Sequence, residues 1–197
     1  MEGTHPVNKK FAAALSGGAV LVLALSGCGD SKDDELNSWA NTVCDAVQPQ
    51  AKKIESANSA IQQQTADNSK PVDVQKTDSQ AFQDMSDAYK AIGSAVDKAG
   101  APPVDDGQTK QQNAVKELNG ISTSYADLQK QVDGLDTNDQ GKFADGLKSV
   151  AGELDKLSQS GNDALKKLEE GDVGKAMQKQ ESCKSASASP TAAAKNE

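Results

Sequence analysis

The sequence predicts an all-α protein: an antiparallel four-helix bundle of up-down-up-down topology, with a short extra C-terminal helix and a disulfide. Three observations support this prediction. Apolar residues recur at alternating spacings of three and four, which places them on one face of an α-helix. Loop-forming segments divide this pattern into four long stretches. No segment alternates apolar and polar residues with the β-branched side chains typical of strands.

The first two stretches have recognisable boundaries. The first begins at an acidic N-terminus around Asp34, and Pro49 within it should kink the helix or split it in two. Residues 66–77 are predicted to form a loop, so the second helix is expected from Asp78 to a Gly-Pro stop at 100–103. The stripes comprise Leu36, Trp39 or Ala40, Val43, Val47, Ala51, Ile54, Ala57 and Ile61, then Phe82, Met85, Tyr89, Ile92, Val96 and Ala99.

The remaining stretches complete the predicted bundle. The third ends at Gly134, and Thr137 with Gln140 fits a capping box that would begin the fourth helix. A shorter helical segment then leads to Cys183. The stripes comprise Val115, Leu118, Ile121, Tyr125, Leu128 and Val132; Phe143, Leu147, Val150, Leu154, Leu157, Ala164 or Leu165, and Leu168; and Val173, Ala176, Met177, Gln180 and Cys183.

Short connections between these helices favour antiparallel neighbours, as in a four-helix bundle. A self-associating coiled coil is the alternative. Each stripe continues for only three or four heptads before a helix breaker. Intramolecular packing is therefore favoured, and we expect a monomer.

The N-terminal segment has the pattern of a secretory signal. Two lysines, Lys9 and Lys10, precede an uncharged apolar run, which is too short and too rich in Gly and Ala to form a stable membrane span. It ends in Leu25-Ser26-Gly27-Cys28, which resembles the lipobox of bacterial lipoproteins. That resemblance implies a thioether-linked diacylglycerol on Cys28 and removal of the residues before it. The alternative is an ordinary signal peptide with a Cys at its exit.

The chain divides into four parts on this interpretation. Residues 1–27 are the signal peptide, 28–33 a short tether, 34–183 the helical bundle and 184–197 a disordered tail rich in Ser and Ala. Translation is expected to start at Val7, since a GTG codon would be read there as Val and Lys9 would then lie near the terminus. The protein is expected on the extracytoplasmic face of a bacterial membrane, held by the lipid on Cys28.

Composition excludes several kinds of function. The chain of 197 residues has a net charge of −8, no arginine, and one histidine, His5, which lies in the predicted signal peptide. It therefore lacks the bidentate anion clamp that Arg provides and the proton shuttle or metal ligand that His provides. An acidic chain is also a poor binder of nucleic acids, because binding to phosphates needs positive charge. We expect no nucleic-acid partner.

Two cysteines, Cys44 and Cys183, are left once Cys28 is assigned to the lipid. Outside the cytoplasm two thiols allow one disulfide, and the last helix of an up-down-up-down bundle returns beside the start of the first. The sequence therefore predicts a Cys44–Cys183 bond. Two free, buried thiols are the alternative.

Few residues suggest chemistry. Residues 136–147 partly fit a calcium loop, but a Leu stands where the bidentate Glu belongs, and helix capping explains the segment better. Aromatic residues on the stripes favour core packing over a ligand pocket. The acidic pairs 105–106 and 169–170 are expected on the solvated surface. We therefore expect no catalytic residues, no metal site and no cofactor.

The whole chain also resembles the acidic, helix-rich small secreted proteins encoded by many streptomycetes. The resemblance is carried by 8–10, 39–44, 125–146 and 174–177 before Cys183. It implies an envelope location and no defined activity. The expected function is non-enzymatic: a lipid-anchored helical-bundle protein with a binding or structural role toward an unknown envelope protein or ligand. The alternative is a carrier of a small apolar ligand between helices, which should contain a cavity lined by the aromatic stripe.

Overall fold

A computed structural model describes residues 30–64, 69–160 and 163–187. Within these ranges the chain forms seven α-helices and no strand, as the all-α prediction requires. The predicted signal peptide, Cys28 and the end of the predicted tail, residues 188–197, lie outside the described residues. The helices are α1 Asp30–Gln64, α2 Pro71–Ala99, α3 Gly107–Asp133, α4 Gln140–Ser160, α5 Asp163–Leu168, α6 Asp172–Gln178 and α7 Glu181–Ser187.

Helix α1 is longer than predicted and is not split. It begins at Asp30, within the predicted tether, and continues through Pro49 to Gln64. Pro49 lies on the exposed side of the helix, where water can bond the carbonyl that loses its partner. Buried residues before and after it, Val43 and Ala57, pack into the core on either side. Tertiary packing therefore stabilises a helix that the local proline rule would divide.

Helix α2 begins at Pro71, seven residues earlier than predicted, so the predicted loop over 66–77 is wrong from Pro71 onward. Proline suits the first position of a helix, because its φ angle is already helical and the N–H it lacks would have no intrahelical partner. Val74 is buried one turn later and gives the new first turn an apolar contact. Pro71 therefore starts the helix.

Helices α1, α2 and α3 pack side by side in alternating directions. The N-terminal half of α1 shares one core cluster with the C-terminal half of α2 and the N-terminal half of α3, and the opposite halves share another. The disulfide-end cluster comprises Leu36, Trp39, Ala40, Val43, Ile92, Val96, Ala114, Leu118, Leu168, Val173 and Ala176. The distal cluster comprises Ala57, Ala81, Phe82, Met85, Leu128, Val132 and Val150.

The C-terminal third of the chain differs from prediction. The stretch predicted as the fourth helix is divided into α4, which ends at Ser160, and α5, which begins at Asp163. The predicted single C-terminal helix is two helices, α6 and α7, and α7 continues to Ser187, into the predicted tail. Gly171 has a φ of 72°, which ends the helical path before α6. Helices α4 and α5 contact α3, whereas α6 and α7 contact α1.

The predicted disulfide is confirmed. Cys44 of α1 and Cys183 of α7 are bonded, with their Cα atoms 4.9 Å apart. The bond closes a separation of 139 residues and ties the last described helix to the first. None of the helices in the described part of the chain combines the length and the apolar character that a membrane span requires.

Candidate functional site

The predicted lipidation site, Cys28, lies outside the described residues, two positions before the first of them. Only Gly29 separates Cys28 from Asp30, the first residue of α1. A lipid on Cys28 would therefore hold the start of α1 within a few ångströms of the lipid's attachment point, because one residue spans about 3.5 Å.

Helix α7 is held on α1 mainly by the disulfide and polar contacts. Cys44 is fully buried and Cys183 is 9% exposed. Beside the bond, Asn41 Nδ2 donates to Gln180 Oε1 at 3.3 Å, and the Ser182 hydroxyl donates to the Asp45 carboxylate. A seven-residue helix has little stability of its own, so the covalent bond is the main constraint on its position.

An open groove of about 530 Å³ runs between the C-terminal half of α1 and the N-terminal half of α2. It exists because the facing side chains are small. Ala57 and Ala81 are buried at its base, and Ala60 is partly buried beside them. The groove is lined by Lys53, Ser56, Ala57, Ala60, Gln64, Asp73, Lys76, Thr77, Gln80, Ala81 and Asp84.

The edge of this groove carries two positive and two negative side chains. Lys53, Asp73 and Lys76 are exposed and Asp84 is partly exposed. Within the described ranges none of the four forms a salt bridge, because every pair observed there joins residues three apart on α3, α6, α7 or α4 and its N-terminal cap. Asp84 Oδ1 accepts one hydrogen bond, from Gln80 Nε2 at 3.3 Å. These charges are available to a partner.

The aromatic stripe packs in the core between α2 and α3. The rings of Tyr89 and Tyr125 stack with centroids 5.5 Å apart, and Phe82 lies 6.2 Å from Tyr125. Burial raises the pKa of both tyrosines, and the neighbouring Tyr89 raises that of Tyr125 further. Phe82 and Met85 are almost completely buried. None of these residues lines the α1–α2 groove, so the aromatic-lined cavity expected of a carrier is not found there.

Asp78 is a buried acid that the sequence analysis did not identify as one. It is 6% exposed, and its Oδ1 has no hydrogen-bond partner among the described residues. Burial raises the pKa of this carboxyl to about 6. The sequence places Asp78 at the start of the predicted second helix, whereas α2 begins at Pro71, and Val74, Asp78, Ala81 and Phe82 share its buried face. Had Pro71 been identified as the first residue of the helix, the helical spacing would have placed Asp78 on the buried face.

The segment weighed as a calcium loop is a helix cap. Asp139 Oδ1 accepts hydrogen bonds from the N–H groups of Gly141 and Lys142, each at 3.1 Å, and Asp136 Oδ1 accepts one from Asn138. The bond from the Lys142 N–H is the main cause that lowers the pKa of Asp139. The capping box of Thr137 with Gln140 is therefore wrong, because Asp139 is the residue next to α4 and caps it directly.

Metal ligands are not concentrated elsewhere in the described part. No group of three or more His, Cys, Asp or Glu side chains has a metal-binding arrangement among those residues. The acidic pairs 105–106 and 169–170 lie exposed, 105–106 before α3 and 169–170 between α5 and α6. The structure brings Cys44 and Cys183 together and leaves the acidic pairs on separate loops.

Comparison of the chain with known protein families, with curated proteins and with solved structures found no match.

Proposed function

We propose that this chain is a lipid-anchored, extracytoplasmic protein of a bacterial envelope that binds or organises another envelope component and catalyses no reaction. The observation that carries the proposal is the Cys44–Cys183 bond. Disulfides form and persist in oxidising compartments and are rare in the cytosol of ordinary bacteria. The bond fits the secretory pattern that precedes Cys28, and it uses the two cysteines that lipidation leaves.

The start of α1 gives further support to a tethered role. With Gly29 alone between the lipidated residue and the helix, the domain would stay beside the membrane. The chain's net charge of −8 would repel anionic lipid head groups, so a lipid chain rather than the protein surface would provide attachment. Each buried methylene contributes about 0.8 kcal/mol, and the two chains of a diacylglycerol suffice for stable anchoring.

We also propose that the helices form a four-helix bundle of up-down-up-down order whose fourth position is divided. Val150 of α4 belongs to the distal cluster, whereas Leu168 and Val173 belong to the disulfide-end cluster. In this arrangement α4 occupies the position of the fourth helix beside the distal cluster. Helices α5 and α6 occupy that position beside the disulfide-end cluster. The resemblance of the sequence to the streptomycete small secreted proteins favours the envelope location proposed above.

Fractionation of cells tests the anchor. Wild-type protein should be found in the membrane fraction and incorporate labelled fatty acid, whereas Cys28→Ala should lose the label and leave that fraction or remain unprocessed. Ser26→Ala keeps a small residue in the lipobox and is the matched control, which should behave like wild type. A Cys28→Ala variant of mature mass that stays membrane-bound would refute the proposal.

A carrier of a small apolar ligand is the second candidate. The half-buried Tyr89–Tyr125 stack between α2 and α3 favours it, because both rings combine an apolar face with some exposure. Delipidated protein should then take up a fluorescent fatty-acid analogue with one-to-one stoichiometry, and Tyr89→Ala should reduce that uptake. Absence of saturable uptake would remove this candidate.

A further inference from the structure

We infer that the α1–α2 groove is a self-association surface, and that two copies of this chain pack through it in parallel, side by side on one membrane. The length of the apolar stripes predicts a monomer, whereas the groove favours a dimer on the membrane. The common orientation of the two copies rests on the proposed lipid anchor, whereas the contact surface rests on the groove alone.

The base of the groove allows a second helix pair to approach closely. The small side chains at the base, the buried Ala57 and Ala81 and the partly buried Ala60, leave room between α1 and α2, so helices of another copy could approach closely there. Val72, the large hydrophobic residue with the greatest exposure in the described part, is 53% exposed. It lies four residues before Lys76, hence on the same face of α2 as that groove residue. An exposed apolar side chain thus lies beside the charged edge of the groove, near the start of α2.

The charges at the edge match those of a second copy. A two-fold interface brings a surface against itself, so it must be self-complementary. Lys53 of α1 and Asp84 of α2 lie on opposite edges of the groove. Measured from the Trp39–Gly100 hydrogen bond that links the two helices, they lie about 21 Å and about 24 Å along the bundle, hence at nearly the same level. A two-fold axis parallel to the helices would place each Lys53 against the other copy's Asp84.

The same axis agrees with membrane attachment. A two-fold axis parallel to the helices leaves both disulfide ends, and so both Cys28 residues, on the same side. Lys53 lies about 35 Å along α1 from Asp30, so the contact would form well away from the lipid head groups. Confinement to a membrane raises the effective concentration of the two copies, which favours an interface too weak to persist in dilute solution.

A second copy fits the groove better than other occupants. The protein's net charge of −8 disfavours contact between most parts of two copies, whereas the four edge charges sum to zero. A uniformly acidic or basic partner would be repelled by half of them. The groove is open and its charged side chains are largely exposed, so it lacks the enclosure that a small ligand needs.

Charge reversal tests the pairing on the full-length protein in membranes. Carbodiimide joins a lysine to a carboxylate in contact with it, so wild type should give a covalent dimer and a Lys53–Asp84 linked peptide by mass spectrometry. Lys53→Asp and Asp84→Lys should each reduce the dimer by about tenfold, since the axis repeats the pair. The double reversal should restore it to within about twofold of wild type. Lys148→Asp on exposed α4 is the control and should change nothing.

The outcomes distinguish failure of the proposed dimer from failure of the proposed lipid anchor. Dimer yield that is equal in wild type and all reversals, or linked peptides that omit the groove, would overturn the dimer and leave the anchor standing. Cys28→Ala protein, concentrated in solution, tests the surface without the membrane. It should sediment as a reversible dimer that Lys53→Asp weakens, whether or not Cys28 carries lipid in cells; a monomer at millimolar concentration would count against the surface.

Discussion

The indole Nε1 of Trp39 donates a hydrogen bond to the carbonyl oxygen of Gly100, 2.9 Å away. Trp39 lies near the start of α1 and is 6% exposed, and Gly100 ends α2 with a φ of 74°. The bond uses a carbonyl at the end of α2 that the helix cannot satisfy itself. It also fixes the level of α1 relative to α2, on which the groove geometry depends.

Replacing Trp39 by Phe should lower the free energy of unfolding by about 1–3 kcal/mol. The substitution removes the donor and part of the buried ring, while an aromatic side chain remains. Urea unfolding followed by circular dichroism measures the change. A loss below about 0.5 kcal/mol would show that neither the bond nor the indole packing matters.

Asp78→Asn should stabilise the protein at neutral pH. Burial raises the pKa of Asp78 from 3.8 to about 6, so the folded protein binds the proton more tightly than the unfolded chain. The cost of the ionised carboxylate is therefore absent below pH 3.8, grows as pH rises toward 6 and is complete above it. Asn keeps the shape without the charge, and the gain at pH 7.5 should be on the order of 2–3 kcal/mol.

The pH dependence of the stability gain shows whether the ionised Asp78 carboxylate is its cause. The difference in unfolding free energy between Asp78→Asn and wild type should shrink as the pH is lowered from 7 to 4. Asp73→Asn, which removes one negative charge from an exposed position in the same helix, is the matched control. A difference that is constant with pH would mean that Asp78 does not titrate as described.

Alanine substitutions should divide the glycines into two groups. A Cβ at Gly120 or Gly152 would meet no atom within 4 Å, so Ala there should add about 0.5–1 kcal/mol of stability. At Gly107 a Cβ would lie 2.1 Å from the Pro102 carbonyl oxygen, and at Gly174 1.9 Å from that of Glu169. Ala at these two should destabilise by about 1–3 kcal/mol. Thermal unfolding of the four variants checks this, and similar shifts for all four would contradict it.

Removing the disulfide should lower the melting temperature and leave most helices intact below it. Cys44→Ala with Cys183→Ser avoids a free thiol. The bond joins residues 139 apart, and the chain-entropy model gives an upper limit of about 4–5 kcal/mol for such a loop. Helix α7 should lose protection from hydrogen exchange first. Unchanged protection in α7 would show that its polar contacts with α1 hold it without the bond.

The sequence was sufficient for the parts of the fold that depend on side-chain periodicity. Where the structure describes their burial, the residues of the stripes through Val43, Phe82, Leu118 and Phe143 are buried or partly buried. The Cys44–Cys183 pairing was also accessible, because compartment and helix order together left one bond to form. The stripes follow from local residue spacing, and the disulfide follows from the number of cysteines left after Cys28.

The outcome at the two prolines, the break before α6 and the groove could not be predicted from the sequence. They depend on how the helices pack against one another and on backbone conformation. Pro49 and Pro71 obey the same local rule, yet one lies on an exposed helix side and the other begins a helix. The break before α6 depends on the left-handed backbone at Gly171, which the periodic stripe does not reveal. The groove arises where small residues of two helices meet at one level, so its prediction required the register set by Trp39 and Gly100.

The mass of the intact protein extracted from membranes tests the central claim most directly. If the protein is anchored by a lipid on Cys28, the mature chain should begin at Cys28 and carry a diacylglycerol. It should also lack the two hydrogens that the Cys44–Cys183 bond removes. Mild alkaline hydrolysis should then release its ester-linked fatty acids and lower the mass accordingly. A mass equal to the unmodified polypeptide, with or without residues 1–27, would contradict the lipid anchor and the function proposed from it.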